Sequence, residues 1–253
     1  MFEIIGVRNV RPENPADLFQ QGWDNYRLIL GHDYLWHSLA GQKLRKVVVS
    51  QFRPSDTIRF LDLACGSCKS TSLLVSDLGG VRVMMGQPPI EFVGVDNSPE
   101  ALRFAKCMNF GTSVRVTFVE SDFVEYLRGV DSLFEVIYIG MSAHHLGLER
   151  LPDFFAQVKK SLAPGGIFVA YEPFCLPGET RNVYIERLHR TIREKWTKLK
   201  PEGIANVIAH TGECDFAVTL ADWNAAAEKA GMKPGEMVFE SPDQLFAIVV
   251  HEA

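Results

Sequence analysis

From residue 58 onward the hydrophobic and polar positions fall into two alternating kinds of run. Short β-rich apolar runs at Ile58–Leu63, Glu91–Val95, Val114–Val119, Phe134–Ile139 and Ile167–Tyr171 read as strands. Phe134–Ile139 is nearly unbroken, the pattern of a strand covered on both faces. Between them, Ser67–Leu78, Ser98–Asn109 and Leu151–Leu162 read as helices. Ser98-Pro99-Glu100 offers a cap and a first-turn proline, and Pro164-Gly165-Gly166 ends the third helix. Strands alternating with helices predict βαβ units and a mostly parallel sheet with helices on both faces.

The last part of the chain follows another rule. Leu220–Ala230 reads as a helix capped by Thr219, with Asp222 where a capping box usually has Glu or Gln. Met237–Glu240 and Leu245–His251 are then separated only by Ser241-Pro242-Asp243-Gln244, too short for a parallel crossover, so they should pair antiparallel. Two segments stand outside the alternation. Residues 1–57 carry aromatic-rich helical patterns with Phe19, Trp23, Tyr26, Tyr34, Trp36 and His37, and residues 173–218 lie between the fifth strand and the last helix. We read them as a helical cap and a lid insertion on one α/β domain spanning 58–253.

Composition narrows the classes. With 253 residues, 47% of them hydrophobic and 23% charged, the chain can bury a sizeable core. A formal net charge of −5 argues against nucleic acid or an anionic membrane as partner. No apolar run approaches the roughly 20 residues of a membrane span, and the first residues lack the pattern of a secretory signal. Five cysteines, an odd number, suggest free thiols in a reducing compartment and a cytoplasmic location.

The chemistry concentrates in FLDLACGSCKST, Phe60 to Thr71. A strand, a turn of small residues and a helix bring backbone N–H groups to a ligand. As a dinucleotide-binding GxGxxG the loop fits poorly, because Lys69 stands where Gly or Ala would let helix and strand pack closely. As a zinc site, Cys65 and Cys68 lack a second ligand pair at matching spacing. The remaining reading is two small side chains in a tight loop, with no metal expected.

Taken with later segments, the loop resembles motif I of class I S-adenosylmethionine-dependent methyltransferases, an acidic residue followed by GxGxG whose glycine positions fall on Ala64, Gly66 and Cys68. FVGVDNSPEAL resembles the second motif, with Asp96 at the strand end, and VTFVESDF the third, with Asp122. FEVIYIGMSAHHL and LAPGGIFVAYEP resemble the fourth- and fifth-strand motifs. The resemblance implies a Rossmann-like seven-stranded, mostly parallel sheet with an antiparallel last strand and a helical cap. It implies S-adenosylmethionine as cofactor and a small-molecule acceptor, with an oxygen or nitrogen nucleophile.

The cofactor-binding residues implied are Tyr26, Ala64, Cys65, Gly66, Asp96, Asn97, Asp122, Phe123 and Gly140. Asp96 would accept from the ribose hydroxyls and Asp122 from the adenine amino group, with Phe123 against the ring. His144 and His145, just past the fourth strand, are the candidate catalytic residues, able to take a proton from an acceptor hydroxyl. Trp23, Tyr26, Tyr34 and Trp36 could close over a cation or planar acceptor, or simply pack. Arg187, Arg190, Arg193 and Lys195 could receive an acidic acceptor. Gly66 and Asp96 are 96 − 66 = 30 residues apart, against about 20 in dinucleotide folds; the surplus is read as an extended connection over Gly79–Ile90. A nicotinamide-dependent oxidoreductase and a non-catalytic nucleoside-binding module remain the competing readings.

Overall fold

The five apolar runs become the parallel strands β1 (Arg59–Leu63), β2 (Ile90–Asp96), β3 (Val114–Glu120), β4 (Phe134–Gly140) and β5 (Leu162–Cys175). A two-residue β6 (Val218–Thr219) pairs with the end of β5, and β7 (Glu236–Glu240) and β8 (Phe246–Glu252) complete the set. The computed structural model describes residues 23–52 and 58–253. Phe19, the leader reading and the side chain of Trp23 lie outside what is described. The strand order is β3-β2-β1-β4-β5-β8-β7, with β8 antiparallel to both β5 and β7. The expected antiparallel hairpin is present, and its second strand is inserted between β5 and β7.

Nine α-helices lie among the described residues: α1 (Trp23–Gly31), α2 (His37–Gln51), α3 (Thr71–Met84), α4 (Pro99–Ala105), α5 (Phe123–Gly129), α6 (Leu151–Ser161), α7 (Arg181–Lys195), α8 (Pro201–Cys214) and α9 (Leu220–Lys229). None is long and apolar enough to cross a membrane. Period-2 alternation sorts the strands onto two cores. Phe60, Phe92, Val136, Tyr138, Val169 and Ile248 face α2, α3 and α7, represented by Leu44, Val75 and Leu188. Leu61, Val95, Ile137, Ile139, Phe168 and Val249 face α5, α6 and α9, represented by Leu127, Phe155 and Trp223. Trp223 Nε1 donates to His251 Nε2 at 2.9 Å, which leaves Nδ1–H to donate to the Lys233 carbonyl. A fully buried histidine is thereby satisfied without charge.

Two expectations are corrected. The helix expected at Ser67–Leu78 starts later and runs to Met84, so Gly79–Ile90 is not an extended connection. Its start is delayed because Ala64, Gly66 and Cys68 all have left-handed backbone (φ 52°, 53° and 54°), which no α-helix contains. It continues through Gly79 because a Cβ there would lie 2.8 Å from the Ser113 carbonyl oxygen; the missing side chain lets the helix lie against the start of β3. The second correction concerns Pro164-Gly165-Gly166, which lies within β5, where the register to β4 shifts between Phe134 and Val136.

Candidate functional site

The carboxyl ends of β1, β2 and β4 meet at the loop after β1, the place where open α/β sheets bind ligands. Left-handed backbone at Ala64, Gly66 and Cys68 matches the glycine positions of the sequence pattern one for one. For alanine and cysteine that conformation costs about 1–2 kcal/mol each. The loop is braced by Asp96: one carboxylate oxygen accepts from Gly66 N–H and the other from Ser98 N–H, both at 2.8 Å. Each oxygen keeps a lone pair beyond that bond. Burial pushes the Asp96 carboxyl up, against these two hydrogen bonds.

Beneath the loop lies Asp62, 2% exposed, whose Oδ2 accepts from Thr71 Oγ1 at 2.6 Å. Burial pushes its carboxyl up to about 7, with Asp96 adding to the rise. Tyr26, from α1, lies near both carboxylates: burial, then Asp96 and Asp62, push its phenol up. Tyr138 is raised by burial and then by Asp62, and a Cβ on Gly140 would lie 2.6 Å from its hydroxyl. Tyr26, Ala64, Cys65, Gly66, Asp96 and Gly140 are thus gathered around the loop after β1 and the adjoining end of β4. Asn97 is exposed beside Asp96. Asp122 is exposed and caps α5, its Oδ1 accepting from Val124 and Glu125 N–H, while Phe123 packs edge-on against Phe154.

Cys65 and Cys68 are both free thiols. Their contact with each other, together with burial, pushes the Cys65 thiol far up, away from the thiolate that binds metals. Among the described residues, neither belongs to a group of three potential metal ligands. Cys65→Ser with Cys68→Ser is therefore expected to leave folding and metal content unchanged, measured by circular dichroism and elemental analysis. Zinc present in the wild type and lost in the double variant would overturn this reading.

A second cluster lies past β4, in the 3₁₀ turn Ala143–His145. Glu172 of β5, 1% exposed, gathers the N–H groups of Ser142, Ala143 and His144 onto its carboxylate. Its Oε2 also accepts from His144 Nδ1 at 2.6 Å. His144 Nε2 faces Asp215 Oδ1, from the end of α8, at 3.4 Å. Burial pulls the His144 imidazole down, but Asp215 and then Glu172 outweigh it and leave it pushed up to about 10. His145 donates from Nδ1 to the Cys214 carbonyl at 2.9 Å, and burial, then His144, hold it down at about 3. The two rings lie 4.1 Å apart, and His210 stands edge-on to His145.

The other aromatic candidates go elsewhere. Tyr34 stacks on Trp196 at 5.2 Å and accepts from Lys198 N–H, while Trp36 donates to Asp243. They join the α1–α2 link to the α7–α8 link and the β7–β8 turn. Arg187 is engaged by Glu179 and by the carbonyls of Asp243 and Gln244. Asp62, Glu172 and Asp215 were missing from the candidates. The first heads the loop motif and the second lies in AYEP; Asp215, inside the 173–218 segment, has no local signal.

A family model described as a methyltransferase domain matches residues 60–166. The matched residues hold the loop after β1, Asp96, Asp122 and both histidines. No curated protein matches the sequence. Among solved structures, the plantazolicin methyltransferase BpumL in complex with SAH aligns with TM-score 0.61 and 12% identity, covering 94% of this chain and 93% of that one. The magnesium protoporphyrin IX methyltransferase of Synechocystis PCC 6803 with bound SAH aligns with TM-score 0.61 and 13% identity, covering 93% and 96%. The CurJ carbon methyltransferase aligns with TM-score 0.57 and 17% identity over 84% of this chain. This chain spans 54% of that structure and 66% of a similar one from Bordetella parapertussis. At these identities the likeness is one of fold: a Rossmann-like, mostly parallel sheet with β8 antiparallel.

Proposed function

We propose that the chain transfers the methyl group of S-adenosylmethionine to a small-molecule acceptor. The observation that carries this is the loop after β1, which holds left-handed backbone at three alternate positions and is tied through Gly66 to the Asp96 carboxylate. The residues fit the cofactor: Asp96 keeps a lone pair on each oxygen for a ribose hydroxyl, and Asp62 and Asp96 place two carboxylates beside a pocket for a cation. When bound, S-adenosylmethionine supplies an electrophilic methyl group on a sulfonium. The protein's part is to hold that group and the acceptor in line, which accounts for much of such an acceleration.

In this reading Ala64, Cys65 and Gly66 border the amino-acid tail, Asp122 and Phe123 the adenine, and Tyr26 covers the pocket from α1. His144 and His145 stand on the acceptor side. Three of their ring nitrogens already face protein groups, which suits positioning of the acceptor. In the same reading α1–α2, the described part of the 1–57 segment, and the segment 173–218 form the cap and lid of the acceptor chamber. Five free cysteines fit a reducing compartment such as the cytoplasm.

Titration calorimetry with S-adenosylmethionine, S-adenosylhomocysteine and NAD tests the proposal. The two adenosyl compounds are expected to bind at about micromolar Kd, near −8 kcal/mol, and NAD not to bind. Binding of NAD alone would replace this reading with the oxidoreductase one.

A further inference from the structure

We infer that His144, His145 and Asp215 form a binding site for a divalent transition-metal ion, on the acceptor side of the pocket. One ligand atom from each residue can be chosen so that all three lie within 4.8 Å of one another. The separation of His144 Nε2 and Asp215 Oδ1 is 3.4 Å, and that of His145 Nδ1 and Asp215 Oδ1 is 3.8 Å. The edge of a tetrahedron whose corners lie about 2.1 Å from a zinc ion is roughly 3.4 Å. Small side-chain adjustments therefore bring all three atoms into coordination range.

Two further observations point to an ion rather than to a closed hydrogen-bond network. Asp215 is 5% exposed, yet its Oδ1, aimed into the cluster, meets only the long contacts to His144 Nε2 at 3.4 Å and His145 Nδ1 at 3.8 Å, with no close hydrogen bond among the described residues. A buried carboxylate oxygen without a donor is costly, and a cation removes that cost. The second is the support behind His144. Its Nδ1 lies 2.6 Å from Glu172 Oε2, and that carboxylate is itself fixed by three backbone N–H groups. A carboxylate behind the far nitrogen of a histidine fixes the tautomer that presents Nε2 to a metal. An ion would take the place of the proton that His145 Nδ1 donates to the Cys214 carbonyl, 2.9 Å away, since metal binding releases protons from its ligands.

Two histidines and a carboxylate suit zinc and its neighbours better than magnesium or calcium, which prefer all-oxygen sites. Three protein ligands leave a coordination position open, where an acceptor hydroxyl would bind and lose its proton more readily. That last role rests on the methyl-transfer reading; the metal site itself does not.

The test uses chelator-treated full chain, titrated with Zn²⁺ by calorimetry and with Co²⁺ by visible absorption, and S-adenosylhomocysteine titrated into the same samples. One ion per chain is expected in the wild type. Asp215→Asn is expected to bind it at least about a hundredfold more weakly, and Glu172→Gln about ten- to a hundredfold more weakly. Cys65→Ser with Cys68→Ser should still bind one ion. Absence of saturable binding by the folded wild type, or equal binding by Asp215→Asn and wild type, overturns the site. If S-adenosylhomocysteine binds and the metal does not, this inference fails alone. If the metal binds and S-adenosylhomocysteine does not, the methyl-transfer reading fails and the metal site stands.

Discussion

Asp62→Asn is expected to stabilise the ligand-free protein at pH 8 by several degrees of melting temperature, and to have little effect near pH 4. The Asp62 carboxyl is held up at about 7 by burial and by Asp96, against about 3.9 in an unfolded chain. Below pH 4 both states keep the proton and the carboxyl contributes no pH-dependent cost. Between about pH 4 and 7 the unfolded chain loses the proton while the folded one retains it, so stability falls as pH rises. Above pH 7 the cost is constant, near 4 kcal/mol from about three units at 1.36 kcal/mol each. An asparagine can still accept from Thr71 Oγ1 and never ionises. The same change removes one of two carboxylates beside the pocket, so affinity for the cationic cofactor should fall while stability rises. Calorimetric melting of both proteins from pH 4 to 8 decides it: parallel curves would show that Asp62 is not the group responsible.

Asp96→Ala is expected to weaken S-adenosylhomocysteine binding by about ten- to a hundredfold, from roughly 1.5–3 kcal/mol for hydrogen bonds to a charged acceptor. Two losses combine in it. The ribose hydroxyls lose their acceptor, and the Gly66 and Ser98 N–H groups lose theirs, which loosens the loop. Titration calorimetry on the folded variant measures it, with Asp96→Asn separating the brace from the charge. Unchanged affinity in a folded Asp96→Ala protein would remove Asp96 from the cofactor site.

The central strands were readable because each must be apolar on both faces, and only their ends were misplaced. The pocket loop was readable for a subtler reason. Its pattern encodes left-handed backbone, and that conformation survives at Ala64 and Cys68 although neither is glycine. Gly79-Gly80 misled because paired glycines ordinarily end a helix, whereas Gly79 here serves the close approach to Ser113, a contact invisible along the chain. The environment of His144 was hidden by distance: Asp215 is 215 − 144 = 71 residues away and meets it only through the packing of the α8 end. Tyr34 and Trp36 have the composition of a ligand cage, but their partners Trp196 and Asp243 arrive from remote segments and make them struts.

β5 has a mechanical meaning beyond its place in the sheet order. Of its fourteen residues, Ile167–Tyr171 pair with β4 on one side and β8 on the other, and the last two pair with β6. Tyr171 is in register with Gly140, and the next residue, Glu172, holds the turn that carries both histidines. In the proposed reaction one stiff rod would therefore set the distance between the donor side and the acceptor side. In that reading an opening that admits the acceptor would come from the segments laid over the rod, α1–α2 and α7, while the end of α8, tied to both histidines through Cys214 and Asp215, would stay with the strand.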